Sequence, residues 1–386
     1  MNTSNIQVDP ADLPFAAQCT EPMTYCYPPQ QNMFQFWTNL TIDLYGGYFM
    51  TPNGNFTNGD MGENRGHSGG MYENYYLHIF NNTRRIIAQC DASGERGLSG
   101  VMRIVQAYGT LMTTDAYGPI PYSSILSGEN EVYFEFDSQK DLYKAMLEDL
   151  STAITDISAM GADEIAKLKS FDCWCNGDKD LWVKIANTMK LRMALRLSKR
   201  ETEAGNARMN LKAIATEAAQ NTLATVNKDI LIDKSLENEM WLMFNWGDCG
   251  FNANLVTIMS GTKDPRQPLY MTLNTGDIKN EAGTTTVAAN SQYLGIRFAS
   301  GLPAKPNSWG NFSGWIQGNN GSSYSMPLPI MKAAEAYFLL AEAKLRWDIG
   351  SESVKNLYEN GIRVSMTNEL AYRGLMPESK NIRKEQ

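Results

Sequence analysis

The chain has 386 residues, 43% hydrophobic and 20% charged, with a formal net charge of −8 at pH 7. This is the composition of a folded protein with one large core or two or three smaller ones, and it excludes a disordered chain. The negative balance argues against nucleic acid or an anionic membrane face as a partner, and no apolar run approaches the ~20 residues of a membrane-spanning helix.

Residues 1–29 carry several prolines and little periodicity, and read as irregular. In residues 30–45, Met33, Phe36, Trp37, Leu40 and Leu44 recur at helical spacing. Residues 46–70 are rich in Gly and Asn and predict a long loop, a length that is often functional. Helices follow at 72–90 and 96–113. Ser138 with Asp141 three residues on forms a capping-box-like start for a helix to 158, striped by Leu142, Met146, Leu150, Ile154 and Ile157. Residues 180–200 predict one long amphipathic helix with Trp182, Ile185, Ala186, Met189, Met193 and Leu197 inward, and a shorter helix occupies 208–220. Periodicity is then lost through 223–329, where Gly, Asn, Thr, Ser and Pro are frequent and only a few short strands or turns are expected. Helix returns at 330–347 and 353–366. In this last pair Tyr337-x-x-Leu340-Ala341 and Val354-x₃-Tyr358-x₂-Gly361 match the aromatic and small positions of a tetratricopeptide hairpin. The expectation is one mainly α domain over 1–386. It has tetratricopeptide-like helix pairs over about 30–220 and 330–366, a large irregular, loop-rich insert over about 223–329, and an atypical polar, basic tail over 367–386.

Little in the sequence looks catalytic. His67 and His78 are the only histidines, and no nucleophile elbow, phosphate loop or dinucleotide fingerprint occurs. Residues 53–64 hold oxygen ligands and glycines without the spacing or terminal Glu of a calcium loop, so no metal is expected there. A glycosidase needs only two carboxylates. Asp248, Asp264 and Asp277 lie in the irregular region, but acids in such places are usually solvated or occupied in turns. The six cysteines lack zinc spacing. Cys19 and Cys26 are candidates for a disulfide in an exported protein, and the alternative is buried thiols.

Aromatics are more informative. A flat indole or phenol covers the C–H face of a sugar at low entropic cost, and neighbouring amides read the hydroxyls. Trp246, Trp309, Trp315 and Tyr324 stand where no helical stripe claims them, and residues 307–320 interleave Trp309, Asn311, Phe312 and Trp315 with glycines and amides. At least one of these rings is expected on a ligand, the others serving to pin loops to the core. Trp37, Trp174, Trp182 and Trp347 are expected in the core.

Several segments, in this order, resemble one family. Asp115-Ala-Tyr-Gly-Pro-Ile-Pro-Tyr-Ser123 is similar to a D-x-W/Y-G-x-I-P-Y-S turn, and residues 184–197 to an A-N-x-x-x-L-R-x-A-x-R helix. Asp264-Pro-Arg266, residues 327–343 with their A-E-x-x-F-L-x-A-E-A helix, and Tyr358-Glu-Asn-Gly-Ile-Arg363 complete the series, and Asn2 to Pro10 resembles the N-x-D-P stretch after a lipidated cysteine. The chain is identified on these as a member of the SusD/RagB-like family, in its starch-binding, outer-membrane branch. The resemblance implies a non-enzymatic surface lipoprotein of the outer membrane, without a cofactor. Such a protein binds glycan, or sometimes peptide, and serves a SusC-like TonB-dependent transporter. It further implies that the export signal and lipid anchor are not in this chain. Tyr72 and Asn74 occupy the neighbourhood where the family often places a ligand-site tryptophan. A helical protein scaffold and a glycosidase remain as readings from other classes.

Overall fold

A computed structural model of the chain describes residues 13–27, 31–51, 62, 64–127, 133–200, 209–232, 239–280, 282–298, 311–315 and 327–372. They form two compact units, one of residues 1–27, 73–232 and 328–368, the other of 28–72, 233–327 and 369–386.

The first unit is a stack of helices joined by short connections, each packed on its neighbours. Arg96–Tyr117 lies between Asn81–Ser93 and Gln139–Ser158, and Lys179–Leu197 packs on Gln139–Ser158, Leu211–Ala218 and Ala333–Trp347. Close approach needs small residues. A Cβ on Gly100 would come within 3.2 Å of the Ala153 backbone, and one on Gly361 within 2.7 Å of the Phe338 ring. The second contact joins Ala333–Trp347 to Val354–Tyr372 at the small position read from the tetratricopeptide pattern. The Ser138 cap is present as read: Asp141 N–H donates to Ser138 Oγ at 3.2 Å, and that hydroxyl donates back to Asp141 Oδ2 at 2.7 Å.

Three readings change. Residues 15–25 are helical, from Phe15 to Tyr25 with Pro22 inside, because Cys19 and Met23 are fully buried and burial outweighs the hydrogen bond that proline forgoes. The 180–200 helix is not amphipathic. Residues Leu181 to Val183 and Ile185 to Leu191 are all buried, Lys190 among them, since helices surround it. A further helix, Ala162–Lys169, comes between Gln139–Ser158 and Lys179–Leu197 in chain order.

The family-like motifs act as joints of this unit. Arg192 holds Glu335 through two bonds of 2.6 Å, coupling the residue 184–197 motif to the Ala333 helix. Asp115 accepts from Tyr143 Oη at 2.6 Å and pairs with Arg196. Tyr122 of the same turn accepts from Gln106 Nε2 at 2.9 Å and donates to Asp149 Oδ2 at 3.2 Å, while Arg103 grips Asp149 at 2.8 Å. At the entry to the Lys179 helix, Asp172 accepts from the N–H groups of Trp174, Cys175 and Gly177 and from Trp182 Nε1, all within 3.0 Å. Trp174 stacks on Trp182 at 5.2 Å, a core position like those of Trp37 and Trp347.

The second unit has more strand and less helix. It holds antiparallel ladders Phe49–Met50 with Gly250–Phe251, Met271–Asn274 with Ser313–Trp315, and Ile278–Lys279 with Thr285–Val287. Helices Glu239–Asn245 and Ala253–Gly261 interrupt the region read as irregular. They escaped the pattern because seven and nine residues give barely two turns of period to read. Its core is Phe251, Val256, Met259 and Met271, with Phe49, Phe244, Tyr270, Tyr293 and Trp315 around them.

Candidate functional site

The ladders of the second unit carry its loops. Asn274, fully buried, spends its whole amide on them: Nδ2 donates to Gly276 O at 3.0 Å and Ala288 O at 2.7 Å, and Oδ1 accepts from the N–H groups of Ser291 and Gln292. Both donors and both acceptors are thereby satisfied. Asn311 Nδ2 donates to Asp277 O at 3.0 Å, and its side chain fills the space where a Cβ on Gly276 would lie. Asn311 thus shapes the start of the strand Ser313–Trp315.

Trp315 and Trp246 have opposite surroundings. Trp315 stacks on Phe251 at 6.0 Å, 14° from parallel, with Phe244 and Tyr270 at 5.8 and 6.3 Å, and its Nε1 is buried without a hydrogen-bond partner. It belongs to the core of the unit. Trp246 is 38% exposed on the turn that ends the helix Glu239–Asn245. That turn is pinned by Trp246 N–H to Leu242 O at 2.8 Å and Asp248 N–H to Met243 O at 3.0 Å. Beyond it, Gln35 Nε2 donates to Asp248 Oδ2 and Asn39 Nδ2 to Cys249 Sγ. Gln35 and Asn39 are one π-helical turn apart in Gln35–Asp43. An exposed indole on a fixed turn is a ready stacking plane.

Two rings that sequence reasoning passed over are also open. Tyr48, 54% exposed, immediately precedes the strand Phe49–Met50, which pairs with the strand that follows Trp246. Tyr45 is exposed and donates to Gly62 O at 3.1 Å. The available signal was an aromatic among glycines, Tyr45-Gly46-Gly47-Tyr48. Tyr72 is half-buried at the end of this unit's first segment. Asn74 belongs to the first unit, buried, with Nδ2 donating to Tyr25 O at 3.1 Å and Oδ1 without a partner. Trp309 and Tyr324 lie outside the described residues, as do the Asn2–Pro10 stretch and residues 373–386.

The groups with catalytic potential are occupied. His67 stacks on Phe36 at 4.5 Å, and burial lowers its pKa. His78 stacks on Tyr25 at 3.8 Å and meets Glu21 at 2.9 Å. Asp264 is bound by Arg266, whose hydrogen bonds hold it below the usual carboxylate range against the upward push of burial. Asp277 accepts from Ala289 N–H at 2.9 Å. All six cysteines are free thiols, so Cys19 and Cys26 are not joined. Burial raises them all, Cys90 to about 12 and Cys173 to about 11, far from a reactive thiolate. Asp43, at the end of the π-helical segment, is pushed by burial to about 7. Among the described residues no cluster of His, Cys, Asp and Glu is placed to hold a metal ion, and no helix is long and apolar enough to cross a membrane.

Comparison with known proteins places this arrangement. A SusD-like protein of Bacteroides thetaiotaomicron superposes with a TM-score of 0.75 at 26% identity, covering 93% of this chain and 70% of its own. A SusD homologue of Bacteroides ovatus gives 0.73 at 25%, covering 93% and 72%. A chitin-binding SusD homologue of Flavobacterium johnsoniae gives 0.78 at 23%, covering 92% and 70%. No curated protein matches the sequence. The family profile for SusD-like, SusD and RagB outer membrane lipoproteins matches residues 4–375. The chain therefore belongs to the SusD-like family of outer membrane lipoproteins.

Proposed function

We propose that the protein is a non-catalytic, lipid-anchored receptor on the outer cell surface that captures a glycan and delivers it to a SusC-like TonB-dependent transporter. The observation that carries this reading is family membership across residues 4–375. The chitin-binding homologue with the same fold supports a glycan as the ligand class. Because one family match spans both units, we treat 1–386 as one functional module.

The geometry supports particular roles. Trp246 supplies an exposed ring for the apolar face of a sugar. Trp315 and Asn311 anchor the strand and loop from which Trp309 and Tyr324 extend in sequence. Tyr72 is proposed as a further ligand contact of the second unit, and Asn74, taken by itself, as one of the first unit. The non-catalytic part of the reading is supported by histidines engaged in stacking and by acids held in local hydrogen bonds.

Binding to a panel of soluble polysaccharides and chitin oligosaccharides, read by retardation in native gels with a product assay on the same mixtures, tests it. Retardation by one glycan class without shortened products is expected. Shortened sugars would overturn the non-enzymatic reading, and retardation by none, with binding of oligopeptides instead, would overturn the glycan.

A further inference from the structure

Within the first unit, two cavities meet among the helices Gln139–Ser158, Lys179–Leu197 and Leu211–Ala218. One has a volume of about 800 Å³, and the other, of about 410 Å³, shares Lys140 and Met209 with it. Together they make a groove of the size that takes a small ligand or a short run of a chain molecule. Lys190 is in the wall of the larger cavity, with only 2% of its side chain exposed. An ammonium carries three donors. Among the described residues Lys190 Nζ meets one acceptor, Glu217 Oε1 at 3.0 Å. Glu217 lines the same cavity, so the ion pair is itself part of the wall. The Glu217 side chain is 69% exposed, and a carboxylate so well hydrated offsets a buried charge only in part. An anion entering the cavity would supply the acceptors that Lys190 lacks.

The charge around it favours the same sign of ligand. Lys140, Lys144, Lys190, Arg196 and Arg200 line the groove, in a chain whose net charge is −8. The acids there are engaged: Asp115 with Tyr143 and Arg196, Asp141 with Ser138, Glu148 at 4.0 Å from Lys144, and Glu217 with Lys190. A cleft richer in cations than its surroundings concentrates anions. The rest of the lining selects among them. Leu147, Ala213 and Ile214 offer apolar surface to C–H faces. Thr152 and Asn210 offer partners to hydroxyls, Asn210 through Nδ2, since its Oδ1 accepts from Ala213 N–H at 3.0 Å. The one ring among the lining residues, Tyr143, is 6% exposed and gives a nucleobase no face to stack on. We infer that this groove binds a carboxylated sugar chain, an oligosaccharide of uronate type, with the Lys190 ammonium holding a carboxylate. The inference rests on the glycan-capture reading above and adds to it an acidic ligand class at a site within the first unit.

The test titrates the full chain with oligogalacturonate by calorimetry at low salt, beside oligoglutamate and inorganic sulfate. Lys190→Met keeps the length of the side chain and leaves Glu217 in water, and it should weaken oligogalacturonate about tenfold. Glu217→Gln removes the competing carboxylate and should strengthen binding about threefold. The double variant Lys140→Gln, Arg200→Gln alters two exposed residues and should weaken binding about threefold. If Lys190→Met fails to fold, as its melting curve would show, the double variant decides in its place. No binding by the unaltered chain, or equal binding by Lys190→Met and the double variant, would overturn the inference. Equal affinity for oligoglutamate or for sulfate would show that the groove reads charge alone and would overturn the sugar assignment. Retardation by neutral glycans on native gels without any binding of oligogalacturonate would sink this inference and leave the capture reading standing, whereas oligopeptides bound in place of every glycan would sink both.

Discussion

Replacing Trp246 and Trp315 separately by alanine distinguishes a ligand plane from a structural anchor. Trp315 touches Phe251, Phe244 and Tyr270, and it pairs with Met271 across the ladder. Truncating a core tryptophan costs about 3–5 kcal/mol, and since this one is only partly buried we expect about 2–4 kcal/mol. Trp246 is 38% exposed on a turn held by backbone bonds, so its loss should cost under about 1 kcal/mol of stability. It should instead weaken the cognate glycan by about 1–2 kcal/mol, some 5- to 30-fold, the worth of roughly 40–80 Å² of apolar contact. Urea unfolding followed by far-UV circular dichroism gives the first quantity, and titration calorimetry with the glycan identified on native gels gives the second. The assignment is refuted if Trp315→Ala abolishes binding with less than about 1 kcal/mol lost in stability, or if Trp246→Ala binds normally.

Two further outcomes follow from carboxylates, Asp172 buried and Asp43 half-buried. Asp172→Ala strands the N–H donors of Trp174, Cys175, Gly177 and Trp182, and at about 1–3 kcal/mol for each that water cannot reach should cost about 3–5 kcal/mol in urea unfolding. A cost below about 1 kcal/mol would mean that the turn is held by packing alone. Asp43 behaves oppositely. Its carboxyl is raised from 3.8 to about 7, so the folded state favours the protonated form; the ionised form is penalised progressively as pH rises from about 4 to 7. Asp43→Asn should therefore leave stability unchanged near pH 4 and raise it by about 2–4 kcal/mol near pH 8, as read by thermal melting across that range. An equal effect at both pH values would show that the carboxylate is solvated.

Much of the first unit was legible because its signals are local. The Ser138 cap joins residues three apart, and the small position at Gly361 is where the Phe338 ring comes against the helix. The Phe15–Tyr25 helix was not legible: Pro22 is a strong local break, and the burial of Cys19 and Met23 that overrides it comes from packing rather than from local sequence. The Lys179–Leu197 helix showed its period but not its environment. A periodic stripe reports one packed face and cannot report that other helices cover the rest, so nothing in it marked Lys190, which lies off the stripe yet buried, with Nζ 3.0 Å from Glu217.

The sequence by itself determined the helical class, the paired helices and the family, because caps, periodicity and ordered motifs are written within short stretches of chain. Tertiary structure alone decided which aromatics are available. Trp246 and Trp315 are each a tryptophan beside a glycine in a stretch without period. Phe251 and Phe244 close over the one, and a pinned turn leaves the other partly open to solvent. Burial depends on which distant residues arrive at a side chain, and local sequence carries no record of them.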